Sequence, residues 1–236
     1  MKRQIIISFL CAYLLLTLSV CALANRQDVY IIIYATHKGK TGHAGIAIDK
    51  YKTIYRDVQR GDSAITIEEK VKTNELQYFD FWPDDDKFDK LRTSESIPGL
   101  YFKLPENLFE EITVNSLVDK GLPHKENYPC DGLLRIRTSA QEDSCLAKII
   151  DSTIASNRLF NVRQFNCTDF VLVPLQHLLK KKIAVKEFIP FAFSSTPNRL
   201  YQRLIKMKEV EVLKNADTKT RSSFIKERVL YKIFNS

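Results

Sequence analysis

The run Val29 to Ala35 (VYIIIYA) limits what this chain can fold into more than any other segment. Seven consecutive apolar residues, rich in β-branched side chains, suit a buried strand. His37 to Gly42 (HKGKTG) comes next as a turn with two glycines, and Ala44 to Ile48 (AGIAI) makes a second short strand. Asp49-Lys50-Tyr51-Lys52 predicts a further reversal, with a third strand through Thr53 to Val58 and a fourth at Ala64 to Ile67. The N-terminal part therefore reads as an antiparallel meander.

Helices dominate the remainder of the chain. Residues 79–96 (FDFWPDDDKFDKLRTSES) are acidic, aromatic and broken by Pro83, which predicts a loop packed down by Phe79, Phe81 and Trp82. Leu100 to Leu104 and Leu133 to Arg137 read as strands. Glu106 to Lys120 reads as a helix bounded by Pro105 and Gly121. Glu142 to Ala155 is helical. The next helix starts at Asn166-Cys167-Thr168-Asp169, where Asn is a preferred cap and the acid three residues on suits the dipole. Pro174 predicts a kink in it. Ser195-Thr196-Pro197 marks another helix start, and from about Glu209 the chain is basic and unpatterned, a peripheral helix or tail. Together these elements predict one α+β domain over residues 25–208, an N-terminal antiparallel sheet packed against helices, with a basic segment over 209–236.

The first 24 residues are set apart by composition. Lys2 and Arg3 precede an apolar run from Ile5 to Val20, and Ala22-Leu23-Ala24 supplies a small-x-small site before Asn25. This is the pattern of a cleavable signal peptide, too short for the roughly 20 apolar residues of a spanning helix. Val20 before Cys21 does not suit lipidation, where a small residue is usual. The expectation is an exported protein, periplasmic or secreted. Removing residues 1–24 takes the formal charge from +8 to +6. That charge is spread out, apart from Lys180-Lys181-Lys182 and the tail, and no nucleic-acid motif accompanies it. Peripheral contact with an anionic envelope surface is the expected partner class, not nucleic acid.

Cleavage also removes Cys11 and Cys21, leaving Cys130, Cys145 and Cys167. An odd number in an oxidising compartment leaves at least one thiol unpaired. A Cys130–Cys145 bridge would leave Cys167 free.

Two segments carry chemistry: Gly42-His43-Ala44-Gly45-Ile46, with a histidine at the start of a strand, and Asn166-Cys167-Thr168-Asp169-Phe170-Val171, with a cysteine at the first position of a helix. A thiol attacks as thiolate. A free cysteine has a pKa of about 8.5, which a helix N-terminus and a nearby imidazolium lower by several units. His43 is placed to act as base and then acid. Taken singly, each residue has a structural explanation, as a small buried cysteine and as a strand-edge histidine; their joint occurrence in this order favours a site.

These motifs resemble the permuted papain-like thiol hydrolases related to the NlpC-type cell-wall peptidases and lecithin–retinol acyltransferase, in which the histidine strand precedes the nucleophile helix. The resemblance covers roughly residues 28–205. It implies a circularly permuted papain-like core, with thioester chemistry on an amide of a peptide or of peptidoglycan, or on an ester or acyl group. Cys167 would be the nucleophile and His43 the base, with no cofactor. For the residue that orients the base, a hairpin about Lys50 to Lys52 places residues near 57–59 opposite His43, so Asp57 is preferred, with Gln59 or Asp80 as alternatives. The Cys167 backbone N–H is a natural oxyanion donor.

His37 lies in a Gly-Lys turn, His124 in a loop beside Pro123, and His177 ten residues along the Cys167 helix, about 15 Å away at 1.5 Å per residue. Cys130 and Cys145 lack the short spacing of a zinc site. No G-x-S-x-G, P-loop or dinucleotide fingerprint occurs, and Asp84-Asp85-Asp86 reads as a solvated loop with at most weak calcium affinity. The rival to an enzyme is a non-catalytic binding or scaffold protein of the same shape. A weaker alternative is a membrane-surface protein docking through residues 210–236.

Overall fold

In the computed structural model, residues 27–60, 63–84, 95–104, 111–122, 128–190 and 192–235 are described. The leader, His124, Asp85, Asp86 and the first part of the expected 106–120 helix lie outside them. The described chain is mixed α+β, built on an antiparallel sheet. Six strands, β1 (Gln27–Tyr34), β2 (His43–Arg60), β3 (Ser63–Pro83), β4 (Gly99–Leu104), β5 (Gly132–Thr138) and β8 (Val210–Lys214), lie in the order β4-β3-β2-β1-β5-β8. Between and after them come helices α1 (Val114–Asp119), α2 (Ala140–Ala155), α3 (Cys167–Leu179), α4 (Pro197–Leu204), α5 (Asp217–Thr220) and α6 (Tyr231–Asn235). A separate two-stranded ribbon pairs β6 (Lys186–Ile189) with β7 (Ala192–Ser195).

The unbroken apolar run of β1 has a direct cause: both faces of the central strand are covered. Val29, Ile31 and Ile33 point into one core with Phe79, Phe81, Leu134 and the inner faces of α2, α3 and α4. Tyr30, Ile32 and Tyr34 point into a second core with Leu76, Tyr78, Leu133 and Leu117 of α1. Burying each such side chain is worth about 1.5–3 kcal/mol, so β1 is the best-anchored strand of the sheet.

Several helix starts fall where cap chemistry predicts. Ser139 and Glu142 form a capping box on α2, and Thr196 caps α4 with Pro197 at its first position. Helix α3 passes through Pro174 without ending. Within the described part of the expected 106–120 helix, residues 111–113 are not helical, and a Thr113–Ser116 capping box starts α1 at Val114.

Other expectations are overturned. The chain does not reverse at Lys50 to Lys52. β2 runs on to Arg60 with only a register shift between Asp49 and Tyr51, and its pairing with β3 continues from Tyr51↔Lys72 to Arg60↔Ser63. No glycine or proline at 49–52 forces a turn, so the backbone ladder persists beyond the body. Residues 79–83 belong to β3 rather than to a loop. Residues 210–214 are no tail, since β8 pairs with β5 and completes the sheet. Among the described residues no helix is long and apolar enough to cross a membrane.

Candidate active site

The start of α3 is pinned by its cap. The Asn166 side-chain oxygen accepts from the Thr168 N–H at 2.8 Å and the Asp169 N–H at 3.3 Å. In return Asp169 accepts the Asn166 N–H at 3.1 Å. The Asn166 amide nitrogen donates to the Val162 and Ser195 carbonyls and to Ser194 Oγ, at 3.0, 3.1 and 3.1 Å. Ser195 Oγ donates to Asp169 Oδ1 at 2.5 Å. Strand β7 thus clamps the helix N-terminus. Cys167, at the first helical position, is half-buried and unbridged, and the cap leaves its own backbone N–H unused.

The start of β2 is shaped by two glycines. Gly42 has φ +81°, and a Cβ there would lie 2.7 Å from both the Thr36 nitrogen and its Oγ1. A Cβ on Gly45 would lie 2.5 Å from the Tyr78 hydroxyl. The absent side chain lets Tyr78 lie across β2 and donate to Asp80 Oδ2 at 2.9 Å. The Trp82 indole N–H donates to the same oxygen at 2.8 Å. Tyr78, Asp80 and Trp82 alternate along β3, so all three side chains stand on one sheet face.

His43 sits among them, 3% exposed. Its Nε2 is 3.0 Å from Asp80 Oδ2, and its ring stacks on Trp82 with centroids 4.1 Å apart and planes at 27°. Besides this bond to Asp80, His43 interacts electrostatically with the Cys167 side chain. With Nε2 committed to Asp80, Nδ1 is the nitrogen left for the sulfur. Burial alone pushes the imidazole's pKa down, but the charge on Cys167 and the Asp80 hydrogen bond outweigh it and raise it to about 9. A proton on His43 is thereby favoured by the carboxylate it bonds and by the nearby sulfur.

The structure brings together Cys167, His43 and Asp80, and it does not bring in Asp57. Asp57 lies on the outer stretch of β2, exposed, opposite Thr66, whose hydroxyl donates to it at 2.7 Å. Gln59 is equally remote, opposite Ala64. Because β2 does not fold back on itself, the strand opposite the site is β3, where Gly45 pairs with Asp80. Asp80, an alternative on sequence grounds, therefore replaces Asp57. The stacked Trp82 and the bridging Tyr78 were missed. Their signal was the Tyr-x-Asp-x-Trp alternation, a lone carboxylate inside an apolar strand, obscured by the Asp84-Asp85-Asp86 run just beyond it.

The remaining histidines and cysteines lie elsewhere. His37 Nδ1 pairs with Glu227 at 2.8 Å. His177 Nε2 is 3.5 Å from Cys145 Sγ on the exposed surface of α2 and α3. Cys130 is buried in the core on the other face of the sheet, where burial raises its thiol pKa to about 11. Cys130 and Cys145 are unbridged, since the sheet separates them. No cluster able to hold a metal ion occurs among the described residues. Comparison of the chain with family models, with curated proteins and with solved structures finds no match.

Proposed function

We propose that this protein is an exported papain-like cysteine hydrolase that cleaves an amide bond, in a peptide or in peptidoglycan, through a thioester on Cys167. The single observation that carries the reading is His43, buried, hydrogen-bonded to Asp80 and within electrostatic reach of Cys167 at a capped helix start. The order of a histidine strand before a cysteine helix fits a permuted papain-like core. Export rests on the leader.

The chemistry comes from the placement. The Cys167 sulfur, its proton held by His43, attacks the carbonyl carbon, and the carbonyl electron pair moves onto oxygen. The Cys167 backbone N–H meets that oxyanion at the positive end of α3. Collapse expels the amine, which takes the proton from His43 Nδ1 and leaves a thioester. Water then gives a proton to His43 as it attacks, and the second collapse releases the acid and returns the sulfur. Asp80 keeps Nδ1 aimed at sulfur and stabilises the imidazolium, and Trp82 fixes the ring plane.

The test is the pH dependence of Cys167 alkylation by iodoacetamide, read by mass spectrometry, in the native chain and in His43→Ala. The expected result is reaction at pH 6 at least tenfold faster in the native chain, with the two rates converging above about pH 9, where His43 loses its proton. A thiol that is unreactive, or indifferent to His43, overturns the reading and leaves a non-catalytic binding scaffold.

A further inference from the structure

Away from the cysteine, a cleft of about 180 Å³ opens between α4 and residues 220–223. Arg199 and Arg203, four residues apart on one side of α4, and Lys206 just past its end line one wall. Arg221 faces them across the cleft, with Ser222 and Ser223 beside it. The one acid in the lining, Glu187, is already engaged: one oxygen accepts the Thr196 hydroxyl and the other the Phe224 N–H at 3.4 Å. No carboxylate pairs with Arg199, Arg203, Lys206 or Arg221 among the described residues. The cleft wall thus carries a net charge of +3.

Helix electrostatics do not account for this set. Basic side chains in a last turn offset the helix dipole, which covers Arg203, and Lys206 lies just past the helix end. Arg199 is the third residue of α4, in a first turn with no acid, where a cation is disfavoured. Nothing in the helix itself favours a cation at that position. The walls are also fixed in advance. Buried Asn198 accepts the Thr36 N–H at 2.8 Å and donates to the Thr36, Ser222 and Lys219 carbonyls at 3.0, 3.4 and 3.5 Å. Gln202 donates to Thr220 Oγ1 at 2.8 Å. Arg203 is held by its Nε bond to the Ala184 carbonyl at 3.1 Å, with its terminal nitrogens unpartnered among the described residues.

We infer that this cleft is a binding site for a phosphate-type oxyanion, a free phosphate or the phosphate of a larger molecule. Planar guanidinium forks match a tetrahedral oxyanion two bonds at a time. The volume is below the roughly 300–1,000 Å³ of sites for drug-sized ligands, so the cleft takes the anionic head and leaves the rest of the ligand outside. The site is independent of the Cys167 chemistry.

The experiment uses inorganic phosphate on the full chain, by calorimetry at constant ionic strength with chloride as reference. Phosphate binds the native protein, and the double variant Arg199→Gln/Arg221→Gln weakens it at least tenfold, whereas Lys180→Gln/Lys182→Gln changes it less than twofold. Unchanged Cys167 alkylation in the double variant shows that it is folded. As a measurement that needs no variant, phosphate slows phenylglyoxal modification of Arg199 and Arg221 severalfold. A second arm uses phosphatidylglycerol vesicles: binding lost in the double variant assigns the phosphate to a lipid headgroup, and phosphate binding without vesicle binding assigns it to a soluble ligand. Absence of phosphate binding beyond chloride, or equal binding by the double variant, overturns the inference.

Discussion

The inner and outer halves of β2 and β3 are one continuous pair of strands, yet they are physically two different objects. From His43 to Asp49 and from Leu76 to Phe81 the strands are largely buried, with side chains sealed into a core on each sheet face. Beyond the register shift between Asp49 and Tyr51 the same ladder continues as an exposed ribbon, with Tyr55 70% and Ile67 48% accessible. Its side-chain contacts are surface pairs such as Arg56 with Glu69 at 3.2 Å, each worth under about 1 kcal/mol. A two-stranded ribbon alone is marginally stable. Both halves are paired through the backbone, so it is burial that holds the His43–Asp80 pair in place. Three carboxylates sample this gradient: Asp80 in the inner half, Asp143 packed near the changeover, and Asp57 on the ribbon.

Asp80 carries the largest expected effect. Its Oδ2 serves His43, Tyr78 and Trp82 together, at zero exposure. Asp80→Ala orphans two buried donors and the half-buried Trp82 indole, and costs about 2–4 kcal/mol in chemical denaturation. It also removes most of the native chain's alkylation advantage at pH 6. Asp80→Asn separates geometry from charge: its side-chain oxygen still accepts from Tyr78 and Trp82, so stability falls by only about 1 kcal/mol. The His43 pKa, followed by NMR, nonetheless drops from about 9. An unshifted His43 in Asp80→Asn would break the comparison at its buried end.

The same gradient explains what the sequence disclosed. β1 was legible because both its faces are apolar, and Cys167 and His43 because helix capping and flanking glycines leave local signatures. The route of β2 was not. Lys50 and Lys52 mark where burial stops, and an end of burial looks like an end of strand. That error carried the orienting carboxylate to Asp57, since the residue opposite His43 depends on which strand returns beside it. Asp80 is set by pairing between residues 35 positions apart, Gly45 and Asp80, which no local pattern encodes. The cleft at Arg199 and Arg221 was equally hidden, because it joins α4 to a segment that reads as tail.

Asp143 tests the boundary. Its Oδ1 accepts from Thr138 at 2.6 Å, and the Tyr51 hydroxyl reaches Oδ2 at 3.5 Å. Burial, reinforced by the charge of Asp49 and opposed by Thr138, Tyr51 and Lys72, raises its pKa from the usual range near 4 to about 7. The folded state therefore binds this proton more tightly than the unfolded chain. The stabilisation is complete below about pH 4 and is lost as pH rises through 7. His43, also raised, gives a loss in the same direction at higher pH, so the difference between variants is the clean measure. Asp143→Asn flattens the decline in stability between pH 5 and 8 by roughly 1–2 kcal/mol, read from denaturant midpoints. An unchanged slope would mean that water reaches this carboxylate and that the exposed ribbon begins before Asp49.

The smallest effect belongs to Asp57. On the ribbon its partner is the exposed Thr66 hydroxyl, so Asp57→Ala changes stability by less than about 0.5 kcal/mol and Cys167 alkylation by less than twofold. This near-silence is informative because the alternative path of the chain gives the opposite result. If β2 turned back at Lys50 to Lys52, Asp57 would lie against His43, and its loss would lower both the His43 pKa and the thiol's reactivity at pH 6. A tenfold slowing in Asp57→Ala would therefore place the ribbon against the body, with Asp57 rather than Asp80 as the partner of His43.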